Sequence, residues 1–132
     1  MTVKSLIAFL LQWMSINTNF DVSKFDFPVN IVEKSQIERL VCGGKCPVVA
    51  FFSEKDGIFL AEIDLDSLCG QSILLHEMVH AFQLGLEMEA IFKEKEAYEI
   101  QNFFLSDISK KRDFLDILSV KKCRSQQTNE IK

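Results

Sequence analysis

The chain lacks any apolar run approaching the roughly twenty residues that a bilayer-spanning helix requires, which excludes a helical membrane span. It also lacks a basic surplus. Lys and Arg total 15 against 19 Asp and Glu, a net charge of -4, and the basic residues are scattered. That leaves no footprint for a phosphate backbone, so nucleic acid is not an expected partner. No internal repeat or low-complexity tract is present, which excludes a solenoid or a linker-rich array. Histidine is scarce, with two in the whole sequence. If imidazoles do chemistry here, His76 and His80 must do all of it.

What is present suits one compact domain. The 132 residues fit a single unit (1–132), and 48% hydrophobic content with twelve Phe is enough for a true core. Residues 1–20 read as an amphipathic amino-terminal segment. Leu6, Phe9, Leu10, Trp13 and Met14 recur at helical spacing, and the helix ends near Ser15. The run from Leu6 to Leu11 is too short and too interrupted for a signal peptide, and no small-x-small cleavage site follows. The expectation is a soluble protein, cytoplasmic, or exported if a signal was removed. Four cysteines, Cys42, Cys46, Cys69 and Cys123, allow three disulfide pairings, and their even number fits an exported protein. A structural zinc on Cys42 and Cys46 is disfavoured, because no second close Cys or His pair completes four ligands.

Local signals set the order of elements. A short strand is expected over 29–32. Ser35, with Glu38 three residues on, predicts a capped helical turn that stops at Gly43 and Gly44. Residues 47–65 read as a β-hairpin whose strands, 48–53 and 58–65, are joined by the turn Glu54-Lys55-Asp56-Gly57. Helices are predicted over 72–86 and 88–105, separated at Gly85, with a last helix over 109–120 and a polar, fraying tail over 121–132.

The chemistry lies in the 72–86 helix, which contains His76-Glu77-Met78-Val79-His80. Histidines four residues apart lie one turn apart on one helical face, so both imidazoles can converge on a single ion. Glu77 follows the first histidine, where its carboxylate can reach a metal-bound water without being a ligand. Zinc would lower the pKa of that water toward about 7, and Glu77 would take its proton as general base. An alternative is a metal-free surface helix. The apolar residues Ile73, Leu74, Leu75, Met78, Val79, Ala81 and Phe82 surround this segment and imply burial, in which unpartnered imidazoles and a carboxylate are costly.

A catalytic zinc needs a third protein ligand and one open position. With no further histidine, and no acidic residue close behind His80 on its own helix, the ligand is expected from the next helix, which offers the carboxylates of Glu94, Glu96 and Glu99. Glu94 and Glu96 border opposite edges of its apolar face, while Glu99 points away. Helical geometry alone leaves Glu94 and Glu96 both open. Tyr98, the only tyrosine, reads first as a packing residue, and no residue is singled out to stabilise an oxyanion.

HEMVH followed by an acidic helix resembles the gluzincin branch of zinc metallopeptidases, in which a glutamate from a second helix completes the site. Several such families carry Glu-x-x-Ala followed by Asp, Asn or Tyr, and Glu94-Lys95-Glu96-Ala97-Tyr98 fits that frame. The resemblance thus implies Glu94 as ligand, with Glu96 the alternative. From about residue 11 to 105 the chain also resembles a family of small, poorly characterised bacterial proteins grouped with the metallopeptidases. The shared segments include Leu11-Gln12-Trp13-Met14-Ser15, Ile58-Phe59-Leu60, Phe82-Gln83 and Gln101.

What the resemblance implies is a minimal zincin-like α+β domain, a short sheet over the HExxH helix with the glutamate helix behind it. Its cofactor would be Zn2+ and its substrate a peptide or protein added as a strand to the sheet edge, expected to be the 58–65 strand. The expected activity is zinc-dependent peptide hydrolysis. The alternative is a zinc-bound regulatory or toxin-like module with narrow or no proteolysis. Oligomeric state is not legible.

Overall fold

A computed structural model of the chain describes residues 2–43 and 48–110. Among these residues, four α-helices and one three-stranded sheet make an α+β arrangement. No helix among the described residues is long and apolar enough to cross a membrane.

Helix α1 spans Val3–Asn17. Thr2 caps it by accepting from the Ser5 amide at 3.0 Å, and it buries Leu6, Leu10, Trp13 and Met14, four of the five residues expected to face inward. Trp13 fills the space beside Phe104, their rings 5.2 Å apart and nearly perpendicular. Its indole N–H donates to Asp107 at 2.9 Å, so the aromatic body is buried and its one polar atom is satisfied.

Strand β1 (Val29–Val32) leads into α2 (Lys34–Cys42), then β2 (Ala50–Ser53) and β3 (Gly57–Ala61). The expected hairpin is present, with β2 antiparallel to β3 and Phe51 opposite Phe59. Helix α2 begins earlier than its sequence suggests. Its N-cap is Glu33, which makes no side-chain capping bond, and Ser35 lies inside the helix. Fully buried Ile37, packed where α2 meets the sheet, anchors the helix in place of the expected capping box. At the other end Gly43 takes a left-handed backbone (φ 70°), its amide bonding the Arg39 carbonyl, as expected of a glycine stop.

The strand order is β1-β3-β2, with β1 parallel to β3. This corrects the expectation that the 58–65 strand forms the sheet edge. β3 is central, because β1 pairs along its second side, Val29 opposite Ile58 through Val32 opposite Ala61. Four of its five residues are buried, as a strand covered on both sides requires. The edge next to the site is β2.

Helix α3 (Leu68–Phe82) starts four residues before the expected helix. Ser67 sets that start, its hydroxyl accepting from the Gly70 amide at 3.0 Å. Gly70 also lets the preceding turn fold back onto the helix. A Cβ on it would run into the Asp64 carbonyl. Because both partners are backbone, neither can yield cheaply. Gly70→Ala is expected to cost about 3 kcal/mol, the upper end of overpacking penalties, measured by denaturant unfolding.

Helix α4 (Ala90–Ser109) follows after the loop containing Gly85 and runs one turn beyond the expected end. The predicted helix over 109–120 and the tail over 121–132 lie outside the described residues, apart from Ser109 and Lys110. α3 packs on α4 along one side and on β2 and β3 along the other, which is why it is buried nearly all round. Cys42 and Cys69 are both disulfide-bonded, so Cys42 offers no thiolate to a metal. Cys46 and Cys123 lie outside the described residues.

Candidate metal centre

One turn of α3 separates His76 from His80, and their Nε2 atoms stand 3.2 Å apart. From α4, Glu94 reaches between them. Its Oε1 lies 2.6 Å from Nε2 of His76 and 3.4 Å from Nε2 of His80. Ligand atoms of all three residues lie within 4.8 Å of one another, so the group could hold a metal ion.

The donor spacing permits a direct test of fit. Tetrahedral coordination at about 2.0 Å sets neighbouring donors roughly 3.3 Å apart. Two of the three separations here, 3.2 and 3.4 Å, match that figure. The third, 2.6 Å, is a hydrogen-bond length, and Glu94 must draw back by about 0.7 Å to reach the roughly 3.3 Å separation that admits a cation. A proton shared between His76 and Glu94 occupies the space a cation would take, so proton and metal compete.

Electrostatics follow from these contacts. Hydrogen bonds from His76 and then His80 hold the Glu94 carboxyl well below the usual carboxylate range, against the opposing effect of partial burial. Burial pulls the His80 imidazole down. The hydrogen bond to Glu94, the charge of Glu77 and the contact with Gln83 together outweigh it, leaving His80 above its ordinary value.

Glu77 follows His76 on α3 and is 7% exposed. Burial raises its carboxyl above the ordinary value, with the charges of His76 and His80 opposing part of the rise. It opens onto a pocket of about 600 Å³ between β2 and the α3–α4 pair, walled by Val49, Phe51, Ile73, Leu84 and Tyr98 among others. The same pocket receives both imidazoles and Glu94.

Of the acidic residues on α4, only Glu94 meets the histidines. Glu96 turns aside and accepts from Gln83 Nε2 at 2.9 Å, while Glu99 makes an exposed contact with Lys95 at 3.9 Å. Tyr98, read first as packing, does pack: its ring lies 4.3 Å from that of His76. That position also makes it part of the pocket wall.

Two residues carried no assigned role in the sequence. Gln101 Oε1 lies 2.9 Å from His76 Nδ1, and Gln83 Oε1 lies 2.8 Å from His80 Nδ1. Their signal was positional, a polar carboxamide three residues after His80 and another seven after Glu94, both on inward faces. Gln83 and Gln101 are 1% and 0% exposed, so their hydrogen bonds must be found inside the protein. Comparisons with protein-family models, with curated proteins and with solved structures give no match to this chain.

Proposed function

We propose that the chain is a zinc-dependent peptide hydrolase of gluzincin type on a minimal zincin-like fold, with His76, His80 and Glu94 as metal ligands. The observation that carries this reading is the convergence of those three side chains in one pocket beside the buried carboxylate of Glu77. Three protein donors leave a fourth tetrahedral position, the arrangement of catalytic rather than structural zinc sites. Two imidazoles and one carboxylate suit a borderline-soft cation, and zinc fits the donor set and its spacing.

Zinc, when bound, supplies a Lewis acid that acidifies water and polarises a carbonyl. The chain's own residues do the rest. Burial raises the proton affinity of Glu77, which suits a base that must take a proton from water and later return it to the leaving amine. His76 and His80, held one turn apart on a helix buried along its length, need little reorganisation to receive the ion. Along the pocket, β2 offers the sheet edge on which an extended peptide can add as a further strand. The apolar walls at Ile73 and Leu84 favour a nonpolar side chain next to the scissile bond and exclude water around it.

The direct test is hydrolysis of an unstructured peptide by zinc-loaded protein. Cleavage is expected to stop with a chelator and return with added zinc, and cleavage indifferent to chelation would overturn the proposal. A chain that binds zinc stoichiometrically yet cleaves no generic peptide would instead be the regulatory or toxin-like module.

A further inference from the structure

We infer that Gln83 and Gln101 are positioning residues that fix both imidazoles with Nδ1 protonated and Nε2 presented to the cation, and that Glu96 serves this hold rather than ligation. This rests on the metal-centre reading above and adds to it a role for three residues that do not touch the ion.

The direction of each hydrogen bond is set from the far end of its chain. Gln83 Nε2 lies 2.9 Å from the Lys93 backbone carbonyl and 2.9 Å from Glu96 Oε1. A carbonyl and an ionised carboxylate can only accept, so both amide hydrogens of Gln83 are directed to them. Turning the amide over would set its oxygen against two acceptors and leave both unmatched. Oε1 of Gln83 must therefore face His80 Nδ1, at 2.8 Å. An amide oxygen cannot donate, so Nδ1 of His80 carries the proton.

His76 is held in the same way by a separate chain of bonds. The Ser72 hydroxyl donates to the Cys69 backbone carbonyl at 2.7 Å. With its proton so directed, Ser72 Oγ accepts from Gln101 Nε2 at 3.1 Å. Gln101 Oε1 is thereby turned to His76 Nδ1 at 2.9 Å, and this nitrogen too must donate. When a cation displaces the proton between His76 and Glu94, each imidazole is neutral with its lone pair left on Nε2, the nitrogen that faces Glu94. The two chains share no residue and end on different elements, one on α3 itself and the other on α4. They impose the same tautomer on both ligands.

The orienting groups are neutral carboxamides rather than carboxylates. They set direction without adding buried negative charge, so the ion would meet only Glu94 as an anionic ligand, with Glu77 beside it. Glu96 contributes at one remove, as a fixed acceptor that keeps the Gln83 amide from turning over.

The test uses the full chain and zinc itself. Zinc affinity would be measured by competition with a chelating dye, and ligand geometry by the visible spectrum of the cobalt-substituted protein. Gln83→Met and Gln101→Met keep length and remove the hydrogen bonds. Each is expected to weaken zinc binding by about 10–100-fold, the usual effect of losing an orienting group, and to alter the cobalt spectrum. Ser72→Ala should act in the same direction more weakly, and it guards against a Met variant that fails to fold. Gln101→Glu keeps the acceptor and should recover most of the affinity lost in Gln101→Met. Because the chain has two histidines, the Nδ1–H groups of the zinc-loaded protein give two nitrogen-15 resonances, and each should lose its protection from solvent exchange in the matching variant. Wild-type zinc binding with affinity, spectrum and exchange unchanged in the Met variants would overturn the tautomer lock and leave the metal centre standing. Wild-type protein that binds no zinc would overturn both.

Discussion

Glu77→Gln is expected to lower peptide hydrolysis by about 10²–10⁴-fold while leaving zinc bound, because it removes the base without touching a ligand. Its effect on stability should have the opposite sign. Burial raises the Glu77 carboxyl in the folded chain, so the protonated form is the one that folding favours. A group raised in this way contributes its stability below the unfolded carboxylate value, and that contribution is lost as pH rises through the folded value. At neutral pH the metal-free protein therefore carries the cost of either burying that charge or taking up a proton, and Gln carries neither. Metal-free Glu77→Gln should melt a few degrees above wild type at pH 7, and the gap should close as the solution is acidified. Parallel thermal scans and zinc analyses check both parts. Hydrolysis at the wild-type rate would remove Glu77 from the mechanism.

The second large effect separates Glu94 from Glu96. Glu94→Ala is expected to weaken zinc binding by more than about 100-fold, beyond the range typical of residues that only orient a ligand. Glu96→Ala should lose less, because the Lys93 carbonyl still holds the Gln83 amide. Stability gives an independent check. The Glu94 carboxyl lies below its ordinary value, so its contribution is present above the unfolded carboxylate value and is lost as pH falls through the folded one. Metal-free Glu94→Ala should melt below wild type at pH 7, the reverse of Glu77→Gln, with the difference fading in acid. Equal zinc content in the two variants would refute Glu94 as the third ligand.

These two carboxylates differ because of where the chain puts them. Glu77 faces a pocket wall on a buried helix, while the side chain of Glu94 is 46% exposed and touches two imidazoles. Desolvation governs the first, and hydrogen bonding to the two imidazoles governs the second. The same residue type thus suits a base in one place and a ligand in the other.

Much of the fold was legible because it rests on local chemistry. The periodicity of Leu6, Leu10, Trp13 and Met14 marked the first helix, and the turn Glu54-Lys55-Asp56-Gly57 marked the hairpin. The misreadings arose where a distant partner decides. Ser35 and Glu38 have the spacing of a capping box, yet burial of Ile37 starts α2 sooner. Helix α3 starts at Leu68 rather than at 72, and Gly70 without a Cβ leaves room there for the Asp64 carbonyl.

By itself the sequence determined the pairing of His76 with His80, because a four-residue spacing on a helix fixes two side chains to one face whatever surrounds them. It also determined the place of Glu77 beside them. Only the tertiary structure decided that Glu94 meets the imidazoles and Glu96 does not, since that depends on the rotation of α4 against α3. It alone made β3 central and β2 the edge at the pocket, because strand order follows from which chain segment pairs with which. And it alone brought Gln83 and Gln101 behind the histidines, where the ends of two hydrogen-bonded chains set which nitrogen of each ring faces the ion.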